Sequence, residues 1–111
     1  MEDLTNLAKQ IGIILEDRHL ILAIAESCTG GQVAEVVTSV SGSASWFERG
    51  FVTYSNISKQ EMLGVRTDTL KNYGAVSVET AKEMAEGALL HSHADVSLAV
   101  TGIAGPSGGT K

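Results

Sequence analysis

A short apolar run near the start of the chain most constrains its fold. Leu20 to Ala25 is six consecutive apolar residues, with His19 before it and Glu26 after it. Six residues are too few for a buried helix and far fewer than the ~20 that span a bilayer. The absence of polar alternation indicates a strand covered on both faces, which is typical of a parallel sheet. The run therefore predicts an α/β protein.

Helical and strand patterns alternate along the rest of the chain. Apolar spacing predicts a first helix at about 4–17 and a second from about residue 30 to the Ser41-Gly42 pair. Ser58 to Glu61 has the form of a capping box, which predicts a helix that starts there and ends at Gly64. Further helices are expected at 67–73 and after Ser77, the latter with Val78, Ala81, Met84, Ala85, Ala88 and Leu89 on its inner face, and strands at 47–54 and 96–100. This order predicts an α/β sandwich around a mainly parallel sheet.

Composition narrows the class of function. The 111 residues suit one domain, and 8 Lys plus Arg against 13 Asp plus Glu give a net charge of −5, which disfavours nucleic-acid binding. The single cysteine, Cys28, excludes an internal disulfide and a multi-cysteine zinc site. The chain opens without a basic, then apolar, leader and has no membrane span, so we expect a cytoplasmic protein.

Two glycine-containing segments follow predicted strands. One is Ser27-Cys28-Thr29-Gly30-Gly31 and the other begins at Thr101-Gly102. The carboxyl ends of parallel strands share one edge, where α/β proteins place their sites. The free N–H groups of a helix that starts near Gly30 could hold a phosphate or an oxyanion. The Lys-Ser/Thr ending of a phosphate-binding P-loop is missing, and Ser27 or Thr29 as a helix cap explains the pattern equally well.

Lys59 is a candidate general base. As the first residue after the predicted Ser58 cap, it would lie at the positive end of a helix, which disfavours its charged form. A neutral lysine can activate a serine. The alternative is an exposed lysine tolerated at a helix start, and that alternative is favoured when Lys59 is taken alone.

Other reactive side chains have structural interpretations too. Cys28 at a helix start could be a nucleophile, although no histidine partner accompanies it, so a buried structural cysteine is the simpler interpretation. His91 and His93 end a helix and are expected on the surface, so a metal site with Asp95 is not favoured. Glu26 either supports the site or accepts hydrogen bonds from loop N–H groups.

Five motifs together resemble a known family, the CinA C-terminal domain or nicotinamide-nucleotide amidase family. They occur in order over nearly the whole chain, and their combination makes the resemblance specific. The motifs are Ala25-Glu26-Ser27-Cys28-Thr29-Gly30-Gly31, Gly42 to Gly50, Val52-Thr53-Tyr54-Ser55-Asn56 with Lys59, Gly74-Ala75-Val76-Ser77, and Thr101-Gly102-Ile103-Ala104-Gly105-Pro106.

The resemblance implies hydrolysis of the carboxamide of nicotinamide mononucleotide (NMN), without a metal or other cofactor. The family's nucleophile falls on Ser27, its lysine base on Lys59, its assisting tyrosine on Tyr54 and its strand-end hydroxyl on Thr101. Oxyanion or substrate binding is expected from Cys28, Thr29, Gly30, Gly31 and Gly102, while Gly30-Gly31 and the Gly102 to Gly109 loop remain alternatives for the phosphate.

The resemblance also implies a three-layer α/β/α sandwich around a mixed sheet, and a homodimer or larger homo-oligomer. We expect residues 1–111 to form a single domain of this kind that lacks the last strands and helix of the family. The alternative to an amidase is a nucleotide- or phosphate-binding module of the same fold without turnover.

Overall fold

The computed structural model describes residues 2–102 as an α/β sandwich. Its strands form one parallel sheet in the order β2-β1-β3. The elements are α1 Glu2–Asp17, β1 Leu22–Glu26, α2 Gln32–Thr38, a 3-10 turn at Ser43–Ser45, β2 Phe47–Val52, α3 Asn56–Leu63, α4 Thr67–Tyr73, α5 Val78–Leu90 and β3 Val96–Val100.

The apolar run identified in the sequence is the central strand. Every residue of β1 is buried, because β2 and β3 pair with its two edges and helices cover its two faces. At its carboxyl end Glu26 pairs with Val52 on one side and with Val100 on the other. The prediction of a parallel strand covered on both faces is confirmed.

Helices lie on both faces of this sheet. On one face α1 and α2 pack over Leu22 and Ile24, together with the buried Trp46. On the other face α3 and α5 supply Leu63 and Met84, which pack against alternate β1 residues. The three-layer α/β/α arrangement is confirmed. All strand pairs within residues 2–102 are parallel, so the antiparallel member of a mixed sheet is not among the described strands.

The starts of two helices differ from the sequence prediction. The cap of α3 is Ser55, whose hydroxyl accepts the Ser58 N–H at 3.1 Å, while Ser58 donates back to the Ser55 carbonyl at 2.7 Å. Ser58 therefore lies inside the first turn, although the predicted end at Gly64 is correct.

Helix α2 begins at Gln32, two residues later than predicted. Gly30 and Gly31 have φ of +60° and +101°, which lie outside the right-handed helical region.

The buried face of α5 is also rotated from the predicted one. Ser77 caps the helix as expected, by accepting the Thr80 N–H at 3.1 Å. Val78 is 81% exposed and Leu89 is exposed as well. The buried residues are Thr80, Met84, Gly87 and Ala88. A Cβ on Gly87 would lie 1.9 Å from the Leu63 carbonyl oxygen, so this glycine permits close packing of α5 on the end of α3.

The described part of the chain also has a surface cleft. A cleft of about 280 Å³ lies on the α1 and α2 face, lined mostly by apolar side chains. Within residues 2–102, no helix has the length and apolar character needed to cross a membrane.

Candidate functional site

Three hydroxyl residues follow the last paired positions of the three strands. Because Glu26 pairs with both Val52 and Val100, the next residues Ser27, Thr53 and Thr101 stand side by side across the sheet. Side chains alternate along a strand, and Ala25, Phe51 and Ala99 two positions earlier pack on the α3 and α5 face. The three residues therefore form a row at the carboxyl edge, directed to that face.

Ser27 is fixed through its backbone from both sides. Its N–H donates to the Val100 carbonyl at 3.0 Å, and the carbonyl of the preceding Glu26 accepts the Thr53 N–H at 2.9 Å. The residue is buried, with 6% of its surface exposed. The predicted nucleophile thus occupies a rigid position at the centre of the sheet edge.

Lys59 is buried on the same side of the sheet. Its side chain is 1% exposed, and its Nζ donates to the Tyr54 carbonyl oxygen at 3.3 Å. Burial removes the ammonium from water and lowers the pKa of Lys59, while the electrostatic effect of Cys28 acts in the opposite direction. The Tyr54 carbonyl that holds Lys59 follows Thr53, whose N–H binds the carbonyl of Glu26, the residue before Ser27.

The reason for the lowered pKa differs from the one inferred from sequence. Since α3 begins at Asn56, Lys59 is its fourth residue and does not directly follow the cap. Desolvation, and not the end of the helix, is the main cause of the shift. The alternative of an exposed lysine at a helix start is wrong for this structure.

Glu26 anchors the turn between β1 and α2. Its fully buried carboxylate accepts hydrogen bonds from the Thr29 hydroxyl, from the Val33 N–H at 3.1 Å and from the Ala34 N–H at 2.9 Å. Glu26 is a structural acceptor, as interpreted, but the N–H groups that it binds belong to the first turn of α2 and not to the loop. These two N–H groups are therefore already paired with an anion, the Glu26 carboxylate itself.

The glycines and Cys28 of the turn are placed as follows. Gly31 occupies the cap position of α2 without a side-chain hydrogen bond, so neither Ser27 nor Thr29 caps this helix. The Gly30 N–H donates to the Ser27 carbonyl at 3.4 Å. A Cβ added to Gly102 would lie 3.4 Å from Cys28 Sγ, so the ends of β1 and β3 bring these residues into contact.

Thr101 links the sheet edge to the fourth motif. Its hydroxyl donates to the Ala75 carbonyl at 2.8 Å. The neighbouring Gly74 carbonyl accepts from the hydroxyls of Ser77 and Thr80, at 2.9 and 2.7 Å. The Gly74 to Ser77 motif therefore lies next to the carboxyl end of β3, in contact with Thr101.

Tyr54 takes part in the described site through its backbone. Its side chain is 78% exposed, whereas its carbonyl oxygen holds Lys59. The group of Tyr54 that contacts Lys59 in this structure is therefore its backbone carbonyl.

Sequence reasoning missed Thr53. The residue is fully buried, and within the described part of the chain its hydroxyl oxygen has no hydrogen-bond partner. The signal that could have identified it is its spacing, two residues after the apolar Phe51 and at the end of a predicted strand. Its alignment with Ser27 and Thr101 required the strand register.

The remaining candidates lie away from this edge. His91 and His93 are exposed, as predicted, and Asp95 accepts the Ile21 N–H at 2.9 Å. Between residues 2 and 102 no three His, Cys, Asp or Glu side chains are grouped so that they could hold a metal ion. The glycine-rich loop from residue 103 onward, an alternative for phosphate binding, lies outside the described residues.

Relatives with similar sequences cover nearly the whole chain. Nicotinamide-nucleotide amidohydrolase PncC of Escherichia coli (strain K12) is 51% identical over 109 residues, which are 98% of this chain and 66% of that protein. A CinA-like protein of Chloroherpeton thalassium is 52% identical over 105 residues, which are 95% of this chain and 25% of that protein. The chain thus spans about two thirds of the length of its PncC relative.

Solved structures of similar proteins have the same fold over nearly the whole chain. Competence/damage inducible protein CihA from Agrobacterium tumefaciens superposes with a TM-score of 0.93 at 50% identity, covering 97% of this chain and 66% of that one. A CinA superfamily protein from Escherichia coli gives 0.91 at 40% identity, covering 96% and 62%. The family model of the CinA C-terminal domain matches residues 4–111. This chain therefore belongs to the CinA C-terminal domain family.

Proposed function

We propose that the protein is an amidohydrolase that converts NMN and water to nicotinate mononucleotide and ammonia. The observation that carries the proposal is the buried Lys59, with its lowered pKa, whose Nζ binds the carbonyl of Tyr54, the residue after the Thr53 that binds the Glu26–Ser27 peptide bond. A neutral amine next to a serine is the arrangement that a serine–lysine hydrolase requires. The name of the PncC relatives supports the substrate.

In the acylation step, Lys59 Nζ takes the proton of Ser27 Oγ as this oxygen attacks the carboxamide carbon. The resulting tetrahedral intermediate carries an oxyanion. Lys59 then returns the proton to the amide nitrogen, the C–N bond breaks and ammonia leaves. The product of this step is an ester between Ser27 and the nicotinate group, with Lys59 neutral again.

In the deacylation step, water replaces the serine as the nucleophile. Lys59 takes a proton from the water molecule that attacks the ester carbon, and it returns this proton to Ser27 Oγ as the ester bond breaks. Nicotinate mononucleotide leaves as a carboxylate. The oxygen of the water enters the product, one of its protons replaces on Ser27 Oγ the proton that left with ammonia, and the other passes from the new carboxylic acid to solvent.

The other residues of the edge support this chemistry. Backbone N–H groups at the Cys28 to Gly31 turn or at Gly102 stabilise the oxyanion, each worth about 3 kcal/mol in comparable sites. Glu26 keeps the turn in shape, and Thr101 orients the groups next to Ser27. Tyr54 contributes its carbonyl, which orients Lys59.

The proposal includes a cytoplasmic enzyme that acts as a homodimer or larger homo-oligomer and works without a cofactor. The acidic net charge of −5 suits a small-molecule enzyme better than a nucleic-acid binder. Light scattering of the purified protein measures the oligomeric state; a mass equal to one chain would contradict the homo-oligomer.

Ammonia release from NMN tests the proposed function. The purified protein is expected to release one ammonia for each nicotinate mononucleotide formed, and Lys59→Ala is expected to abolish both. Calorimetry on the same samples measures NMN binding. Saturable binding without ammonia from the wild type would instead identify a nucleotide-binding module and overturn the amidase.

A further inference from the structure

Thr53 is the polar group of the edge that the mechanism above leaves unused. Its Oγ1 is buried and has no hydrogen-bond partner among residues 2–102. A buried polar atom without a partner costs folding free energy, and native proteins rarely keep one without a reason. A valine of nearly the same shape would avoid this cost. The position therefore points to a role that is realised when the site is at work.

Backbone contacts connect Thr53 to the residues that carry both reacting side chains. Its N–H binds the carbonyl of the Glu26–Ser27 peptide bond at 2.9 Å. The next carbonyl along the chain, that of Tyr54, holds Lys59 Nζ at 3.3 Å. The Thr53 side chain shares a sheet face with that of Ser27, since the two residues follow paired positions.

The stereochemistry of a neutral lysine says what this hydroxyl can do. A neutral amine has two N–H bonds and one lone pair, and only the lone pair can accept the Ser27 proton. The Tyr54 carbonyl occupies one N–H. A second acceptor on the same side would occupy the other N–H and leave the lone pair directed toward Ser27. A threonine hydroxyl has lone pairs for this purpose.

We propose that Thr53 is a positioning residue, whose hydroxyl oxygen accepts the second N–H of neutral Lys59 and so directs its lone pair at Ser27 Oγ. This inference rests on the proposed serine–lysine function and extends it to a residue with no assigned role. Thr53 acts through Lys59 and does not need to touch the substrate.

Substitution at this position separates positioning from structure. Thr53→Val keeps the shape and removes the hydroxyl, so we expect a melting temperature equal to or above that of the wild type. We expect kcat to fall about tenfold with little change in KM, the effect of losing one orienting hydrogen bond. Thr53→Ser keeps the oxygen and is expected to recover most of kcat.

Thr69→Val is the matched control. Thr69 on α4 is also buried, but its hydroxyl has a partner, since it donates to Glu83 on α5 at 2.7 Å. The control should lower the melting temperature and leave kcat unchanged, the opposite pattern to Thr53→Val. Unchanged kcat in Thr53→Val would overturn the assignment, and so would failure of Thr53→Ser to recover activity.

A fluorophosphonate that labels activated serines keeps this test separate from the test of NMN as substrate. Intact-mass spectrometry follows its addition to Ser27, with Ser27→Ala as the blank. We expect Thr53→Val to slow labelling about tenfold, in step with kcat. Equal labelling rates would overturn the role of Thr53 even if NMN is hydrolysed. Slowed labelling without NMN turnover would support Thr53 and reject the substrate, and no labelling of the wild type would reject both.

Discussion

Lys59 carries a charged group into a region that excludes water. With 1% of its surface exposed, its ammonium form loses hydration that the folded protein does not fully replace, so its pKa falls. Such a residue destabilises the fold at neutral pH and persists where chemistry requires it. The sequence identified the lysine but not its burial, because burial depends on how α3 packs against the sheet.

Replacement of Lys59 by methionine should raise stability and remove activity. The unfolded chain binds more protons than the folded one between the lowered folded pKa and the ordinary pKa of lysine, so wild-type stability rises with pH in that window. The stability advantage of Lys59→Met is thus largest below the folded pKa and shrinks as pH rises through the window. We expect kcat to fall by about 10²- to 10⁴-fold, the usual contribution of a general base.

Urea unfolding of the wild type and of Lys59→Met across the alkaline range measures the difference between their unfolding free energies. All other titrating groups are the same in the two proteins, so their effects cancel in this difference. The matched control is Lys71→Met, at an exposed position on α4. It should change stability by less than about 0.5 kcal/mol, with no trend in pH. A stability difference for Lys59→Met that stays constant with pH would contradict the account of its burial.

At the scale of elements, the turn between β1 and α2 depends on one carboxylate. Glu26 gathers the Thr29 hydroxyl and the N–H groups of Val33 and Ala34, so the strand residue before Ser27 also holds the start of the helix after it. The sequence suggested this acceptor role, because Glu26 ends an apolar strand. The sequence could not show that α2 begins after Gly31 without a side-chain cap, because the start of the helix depends on the positive φ values of Gly30 and Gly31.

Removal of this carboxylate should loosen the turn. We expect Glu26→Ala to cost about 3 kcal/mol of unfolding free energy, because it leaves buried donors without a charged acceptor. Glu26→Gln keeps the size and one acceptor oxygen, so its cost should be smaller. Glu35→Gln, at an exposed position on α2, is the control and should have little effect. Equal stability of Glu26→Ala and wild type in urea would contradict the anchoring role.

The start of α3 shows why local sequence signals were insufficient. Ser55 and Ser58 are three residues apart, and each can cap a helix. The Ser58 to Glu61 pattern matched a capping box, yet Ser55 is the cap. The helix begins three residues earlier than the capping box predicts. Thr53, just before this start, is bound to β1 through the Glu26 carbonyl, so the sheet fixes where the chain leaves β2. That contact is a tertiary feature, which a local pattern does not contain.

For the whole molecule, stability is concentrated on the central strand. Ile24 is fully buried between the two helical layers, whereas Leu98 on β3 is 44% exposed. The apolar run in the sequence was sufficient to predict this centre and the strand ends that carry the site. It was not sufficient to predict the register, which aligns residues 27, 53 and 101 through pairings distant in sequence.

Two alanine substitutions test this distribution. We expect Ile24→Ala to cost about 2–5 kcal/mol, as other large-to-small changes in a packed core do. Leu98→Ala should cost less than about 1.5 kcal/mol, because much of its side chain is already in contact with water. Urea denaturation measures both values. Similar costs at the two positions would show that the core is not centred on β1.

In the proposed mechanism Ser27, and not the adjacent Cys28, attacks the amide. The most direct measurement is the rate of ammonia release from NMN by Ser27→Ala and Cys28→Ala, each compared with the wild type. We expect Ser27→Ala to lose activity and Cys28→Ala to retain most of it. Full ammonia release by Ser27→Ala, with loss in Cys28→Ala, would contradict the account.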